Sequence, residues 1–119
     1  HHHHMFALVE VFNKAELEQS IGVIANLNSQ PTSIMLGVNC RDLKSLEVNF
    51  ACFDHLAEAL PKDLVCVAES GINVPSDIRK IVNWGYKGAL IGTALMQSNN
   101  PMQTLLELRQ AAKTAQQAL

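Results

Sequence analysis

The chain has 119 residues, of which 48% are hydrophobic and 17% charged, and this composition is sufficient for one core of ordinary size. Nine basic against eleven acidic residues give a net charge of −2, which excludes the basic surface that nucleic-acid binding requires. His1 to His4 precede Met5 and are typical of a purification-tag remnant, so we expect residues 5–119 to form a single domain.

No apolar run approaches the roughly 18 residues that a membrane-spanning helix needs. We therefore expect no contact with a membrane. The three cysteines, Cys40, Cys52 and Cys66, are odd in number and contain no CxxC pair. This pattern favours reduced thiols in a cytoplasmic protein.

The chain alternates between apolar strands and amphipathic helices. Residues 6–11 are rich in β-branched and aromatic side chains and predict a first strand. Asn13 and Glu16 have the spacing of a capping box, which marks the start of a helix. An apolar stripe at helical spacing follows, formed by Leu17, Ile21, Ile24 and Leu27.

Three further strands are predicted at residues 34–39, 64–70 and 88–92. Between the second and third strands, apolar residues recur at helical spacing from Phe53 to Leu60. Another helix has Pro75 in its first turn and Gly85 at its C-terminal cap. A last helix is expected from about Pro101 to Ala118.

Four strands separated by helices predict βα units, and hence an α/β fold whose parallel sheet is buried on both faces. In such sheets ligands bind at the carboxyl ends of the strands. Every predicted strand ends in polar residues or glycines, which indicates a polar pocket at that rim. These residues are Glu10, Asn39, Arg41, Glu69, Ser70, Gly71, Gly92 and Thr93.

Four segments, in this order, resemble the indole-3-glycerol phosphate synthase family of tryptophan biosynthesis: "LVEV", "LGVNCRDL", "VAESGI" and "ALIGTALM". The resemblance covers Leu8 to Met96 and implies strands five to eight of an eight-stranded barrel. The expected fold is therefore a parallel (βα)₄ half of a TIM-type (βα)₈ barrel. The implied activity is that of a carboxy-lyase, which closes an indole ring from carboxyphenylamino-deoxyribulose phosphate with loss of carbon dioxide and water.

The resemblance also implies a role for each strand-end residue. Three residues correspond to catalytic positions: Glu10 to the general base of the ring-forming chemistry, Asn39 to an amide that contacts the substrate, and Glu69 to an acid that lines the active site. Arg41 corresponds to an arginine near the active site that helps to hold the catalytic groups. Ser70 corresponds to a serine beside the substrate.

Gly71, Gly92 and Thr93 fall on the phosphate site of the family. An independent physical reason supports this assignment, because glycines let backbone N–H groups approach a phosphate and a helix N-terminus favours the dianion. Structural alternatives exist for three of the predicted site residues. Gly71 would serve only a left-handed turn, Gly92 only close packing, and Arg41 only an ion pair with Asp42 or a strand-end acid.

The catalytic lysines and the first-strand acid of the family have no counterpart in this chain. Its lysines fall in predicted helices and loops: Lys14, Lys44, Lys62, Lys80, Lys87 and Lys113. We therefore expect the chain alone to bind phosphate without turnover. No metal or organic cofactor is implied.

Two hypotheses of different class follow. The chain is either the C-terminal half of a synthase or a non-catalytic module for sugar-phosphate binding or assembly. In both cases a half-barrel leaves two strand edges unpaired and its interior side chains in water. The expected partner is a second copy, forming a homodimer, or a complementary N-terminal half-barrel.

Overall fold

A computed structural model describes residues 5–27, 33–42 and 44–119, and the expected tag remnant at residues 1–4 lies outside these ranges. Strands and helices alternate along the chain. The four strands are β1 (Ala7–Val11), β2 (Ile34–Asn39), β3 (Val65–Glu69) and β4 (Gly88–Leu90). The five helices are α1 (Lys14–Ala25), α2 (Ala51–Ala57), α3 (Pro75–Asn83), α4 (Thr93–Met96) and α5 (Pro101–Gln117).

The four strands form one parallel sheet in the order β1-β2-β3-β4. Parallel neighbours need crossover connections, and right-handed crossovers of similar length place their helices on the same face of a sheet. The α/β half-barrel that the sequence predicts is therefore confirmed. Its carboxyl strand ends all lie at one rim, which is where the predicted site residues cluster.

The hydrophobic core lies between the sheet and the helices. Alternate strand residues face the helices and are buried, among them Leu36 and Val38 of β2 and Cys66 and Ala68 of β3. The helices contribute Leu17, Phe53, Leu56, Ile78, Ile81, Val82, Leu108, Ala111 and Ala115. This alternation fixes the register, because a one-residue slip would turn the buried set toward solvent.

The opposite face of the sheet is open, so the expectation of burial on both faces is wrong for the chain alone. Leu8, Val65 and Leu90 point to this face and are 37%, 40% and 49% exposed. In a complete barrel the remaining strands would enclose these side chains. Strands β1 and β4 are the two edges of the sheet, as expected for a half-barrel.

The first helix begins as the sequence predicts. The side chain of Asn13 accepts a hydrogen bond from Glu16 N over 2.8 Å, and the Glu16 carboxylate accepts one from Phe12 N over 2.8 Å. The predicted apolar stripe is only partly buried. Leu17 is fully buried, whereas Leu27 lies beyond the helix end and is 49% exposed.

The predicted bounds of the other elements are close to the observed ones. Strand β4 ends at Leu90, two residues earlier than expected, because α4 begins almost at once at Thr93. Helix α3 starts at Pro75, and Gly85 follows its end with a left-handed φ of +98°. Within the described ranges, no helix has both the length and the apolar character needed to cross a membrane.

Candidate functional site

Three polar side chains from neighbouring strands meet at the carboxyl rim. Asn39 and Glu69 are the last residues of β2 and β3 and are register partners, whereas Glu10 of β1 is the partner of Gly37. Side chains two residues apart on a strand share a face, so Glu10, Asn39 and Glu69 all point to the open face of the sheet. The structure thus brings together the three residues predicted to be catalytic.

The amide of Asn39 is held in one orientation by two hydrogen bonds. Its Nδ2 donates to Oε1 of Glu10 over 3.1 Å, and its Oδ1 accepts from Arg41 N over 3.0 Å. Because each bond uses a different end of the amide, neither would survive rotation of the amide by half a turn. Asn39 therefore links the Glu10 carboxylate to the start of the β2–α2 loop.

Within the described ranges, Glu69 is the one polar or charged residue that is buried, with 6% of its surface exposed. Burial is the main cause that raises its pKa from 4.5 to about 7, and the negative charge of Glu10 contributes to the same shift. A hydrogen bond with Glu10 acts in the same direction, since only the protonated form of Glu69 has an O–H to donate to that carboxylate. Glu69 is therefore able to exchange a proton near neutral pH.

The second carboxylate oxygen of Glu69 has no conventional partner. Oε2 is buried and has no hydrogen-bond partner among the described groups. A buried carboxylate oxygen without a donor is costly to ionise. This atom therefore favours the protonated form of Glu69, in agreement with its raised pKa.

Arg41 follows β2 in a short hairpin-like loop. Its guanidinium Nη1 donates to the carbonyl of Leu46 over 2.8 Å, and Leu46 adopts a left-handed φ of +62° that turns the chain back. Among the described residues, no carboxylate lies within ion-pair distance of Arg41. The alternative in which Arg41 merely pairs with an acid is therefore wrong, and Asp42 instead accepts a hydrogen bond from Lys44 N over 2.7 Å.

Two consecutive left-handed residues follow strand β3. Ser70 has a φ of +71° and Gly71 a φ of +81°. A Cβ on Gly71 would lie 2.6 Å from Cγ1 of Val48, so this position needs glycine for space as well as for conformation. The left-handed turn proposed as an alternative for Gly71 is thus present, and both Ser70 and Gly71 line the cleft at the rim.

Gly92 and Thr93 form the start of the short helix α4. Gly92 is its N-cap residue, and a Cβ built on Gly92 would meet no atom within 4 Å. The close-packing explanation for Gly92 is therefore wrong. Both residues are exposed at the rim, next to the end of β4.

A single open cleft of about 370 Å³ joins most of the predicted site. The cleft is lined by Arg41, Glu69, Ser70, Gly71, Ile72, Asn73, Leu90, Ile91, Gly92, Thr93 and Met96. Glu10 and Asn39 adjoin it through the contacts described above. All eight predicted site residues therefore lie at one end of the sheet.

The expectation of three reduced thiols is wrong for two of them. Cys40 and Cys52 are paired as a disulfide, with Cα atoms 5.7 Å apart. The hydrogen bond from Asn49 N to Cys40 O, 2.9 Å long, folds the loop back so that the first turn of α2 lies beside the end of β2. Cys66 is free and buried, and burial raises its pKa to about 11.

One residue of this arrangement was not identified from the sequence. Gly37 lies in the middle of β2, directly beneath Asn39 on the same face of the sheet. A glycine inside an apolar strand is a known signal for close approach of another group, and this signal was available in "IMLGVN".

Among the described residues, no cluster of three or more His, Cys, Asp or Glu side chains has the arrangement of metal ligands.

A parallel half-barrel with acids, an amide and glycine turns at its carboxyl rim has the architecture of the (βα)-barrel enzymes. The family model described as indole-3-glycerol phosphate synthase matches residues 1–108. The chain belongs to the indole-3-glycerol phosphate synthase family, which is a family of lyases.

Relatives with this description include proteins from Mycobacterium sp. (strain KMS), 35% identical, and Mycobacterium leprae, 34% identical, each over 87% of this chain and 35% of the relative. A relative from Nocardioides sp. is 39% identical over 80% of this chain and 34% of its own length. The chain thus spans about a third of the length of these relatives.

Solved structures support the fold alone. Thiamine phosphate pyrophosphorylase from Pyrococcus furiosus superposes with a TM-score of 0.63 at 18% identity, over 91% of this chain and 48% of that chain. The Amycolatopsis orientalis BexX/CysO complex contains a chain with a TM-score of 0.56 at 24% identity, over 71% of this chain and 34% of its own.

Proposed function

We propose that this chain supplies the half of an indole-3-glycerol phosphate synthase site that binds the substrate phosphate and exchanges protons with the reacting ring. The proposal rests on the hydrogen bond that couples the carboxyls of Glu10 and Glu69 at the rim of the cleft. Two carboxyls in contact, one of which has a raised pKa, are a recurring device for acid–base chemistry near neutral pH.

Closure of the indole ring requires one group that donates a proton and one that removes a proton. The ring carbon that bears the carboxylate bonds to the substrate carbonyl carbon, whose oxygen takes a proton, and carbon dioxide then leaves. Loss of that oxygen as water and removal of a ring proton complete the indole. Glu10 acts as the base, and Glu69, with a pKa of about 7, returns a proton. Each such group typically contributes about 10²- to 10⁴-fold to the rate.

Substrate binding is assigned to the groups that line the cleft. Asn39 and Arg41 hold the substrate beside the two acids, and Ser70 lies at its edge. The backbone N–H groups of Gly71 and Gly92 donate hydrogen bonds to the phosphate oxygens, and Thr93 adds a hydroxyl donor.

Titration with glycerol phosphate, followed by amide NMR, tests the phosphate site. We expect shifts that saturate at Gly71, Gly92 and Thr93. Thr93→Asp places a negative charge at the site and should abolish these shifts, whereas the matched change Thr114→Asp on α5 should leave them unchanged. Unperturbed signals at all three residues would overturn the assignment, and shifts without turnover in a completed barrel would favour the non-catalytic module.

We also propose that a second copy or a complementary N-terminal half-barrel covers the open face. Supporting this are the exposed apolar side chains Leu8, Val65 and Leu90, together with the unpaired edges of β1 and β4.

Light scattering after size-exclusion chromatography tests this closure. A dimer is expected at micromolar concentration, or a one-to-one complex when the other half is supplied. Val65→Lys on the open face should weaken association, while Val23→Lys, on the exposed side of α1, should not. A stable monomer that does not bind the complementary N-terminal half-barrel would contradict the proposal.

A further inference from the structure

Gly37 lies inside a strand, where glycine lowers the stability of the fold unless a neighbouring group leaves no room for a side chain. It is buried in the middle of β2, where it is the register partner of Glu10 on one side and of Val67 on the other. A strand interior loses stability at glycine because the unfolded chain is more flexible and no side chain packs. Gly37 does not adopt the left-handed conformation that would itself call for glycine.

The space above Gly37 is filled by the carboxyl group of Glu69. A Cβ built on Gly37 would overlap Oε2 of Glu69 and lie 2.9 Å from its Cδ. The next nearest atom, Cδ1 of Leu8, is 3.2 Å away, which is a tight contact that a flexible side chain can relieve. The close contact at this position is therefore specific to Glu69.

The route of the Glu69 side chain explains this contact. The backbone of Glu69 on β3 is paired with Asn39 on β2. The carboxyl group of Glu69 lies over Gly37, two residues before Asn39, and the partner of Gly37 on β1 is Glu10. Gly37 is thus the point at which Glu69 crosses the middle strand toward Glu10. Glu10 is the charged group that acts on Glu69 from β1, and Arg41 lines the same cleft from the β2–α2 loop.

We propose that Gly37 is a positioning residue, whose missing side chain seats the Glu69 carboxyl beneath Asn39 and against Glu10. This inference rests on the proposed acid–base role of the two carboxyls. Any larger residue at position 37 would push the carboxyl of Glu69 out toward solvent and separate it from Glu10. Glu10 and Glu69 would then no longer share a proton, whereas the strand pairing of the parallel sheet would be retained.

Carbon-detected NMR titration of the Glu69 carboxyl in Gly37→Ala tests the proposal. Because the carboxyl becomes solvated, its pKa should fall from about 7 toward the ordinary value of 4.5. The matched control is Gly88→Ala, two strands away in the same row, where the three atoms nearest to the added Cβ all belong to Val67, the closest at 3.2 Å. Glu69 should titrate in that variant as it does in the parent chain.

Urea unfolding of a double variant separates positioning from general damage to the sheet. Gly37→Ala should lower the unfolding midpoint in the parent chain, and most of this loss should disappear in a Glu69→Ala background. An unchanged Glu69 titration in folded Gly37→Ala would overturn the proposal. So would an equal loss of midpoint, or a failure to fold, in both backgrounds. Neither measurement needs turnover, so the proposal can stand even if the synthase assignment fails.

Discussion

Nδ2 of Asn39 donates a hydrogen bond of 3.1 Å to Oε1 of Glu10, which joins the ends of two neighbouring strands across 29 residues of chain. This N–H donor stabilises the carboxylate of Glu10 beside Glu69. Removing only this donor therefore changes the electrostatic environment of the two acids while leaving both acids in place.

Asn39→Asp keeps the acceptor for Arg41 N but turns the donor into a third carboxylate. We expect the pKa of Glu69 to rise above 7 and the free energy of unfolding to fall by about 1–3 kcal/mol at neutral pH. Asn49→Asp is the matched control, because Asn49 uses only its side-chain oxygen, toward Ala51 N, and aspartate retains that acceptor. Equal losses in the two variants, by urea unfolding, would argue against a special role for the donor.

Stability should fall as the pH rises from about 4.5 to 7. The folded chain binds the Glu69 proton more tightly than the unfolded chain, so ionisation of Glu69 favours unfolding across this interval. The shift to about 7 corresponds to roughly 3 kcal/mol, present in full below the lower value and lost above the upper one.

Glu69→Gln should remove this dependence, and the exposed Glu58→Gln should preserve it. Thermal or urea unfolding at a series of pH values makes the comparison. If the free energy of unfolding of the parent chain did not change between pH 4.5 and 7, the raised pKa of Glu69 would be refuted.

Much of the fold follows from the sequence because its cause is local. The apolar strands and the capping box of Asn13 and Glu16 depend on residues a few positions apart, and parallel strands necessarily bring Glu10, Asn39 and Glu69 to one rim. The proton affinity of Glu69 has a different origin. It depends on burial over Gly37 and on contact with another strand; the glycine signals a close approach, but the sequence does not identify Glu69 as the group that makes it.

The disulfide was missed for a similar reason. Cys40 and Cys52 lie 12 residues apart with no motif between them, and they meet only because the loop after β2 folds back. The Leu46 carbonyl that holds Arg41 depends on the same loop. Such contacts arise from the path of an irregular segment, which hydrophobic periodicity does not describe.

Thiol labelling should distinguish the three cysteines. An alkylating reagent should leave the folded chain unmodified, modify Cys66 alone after unfolding without reductant, and modify all three after reduction. Reduction should lower the free energy of unfolding by about 3 kcal/mol, since a short loop is released. Mass spectrometry of the labelled chain gives the count, and three modified thiols without reductant would contradict the pairing.

Gly71→Ala should destabilise the chain by more than about 2 kcal/mol, because alanine meets both an unfavourable φ and the Cγ1 atom of Val48. Gly22→Ala is the control on α1, where an added Cβ meets no atom within 4 Å. Alanine favours a helix by up to about 1 kcal/mol over glycine, so this variant should be more stable than the parent. A similar effect of both changes on the urea midpoint would rule out a special requirement at Gly71.

We propose that Glu10 and Glu69 carry the proton chemistry of indole ring closure once the barrel is complete. The most direct test of this claim replaces the matching segment of the Mycobacterium leprae relative by this chain and follows indole formation from carboxyphenylamino-deoxyribulose phosphate by fluorescence. We predict turnover in the chimera and a loss of at least about 10²-fold in both Glu10→Gln and Glu69→Gln. A folded, phosphate-binding chimera without turnover, or full activity in either variant, would contradict the claim.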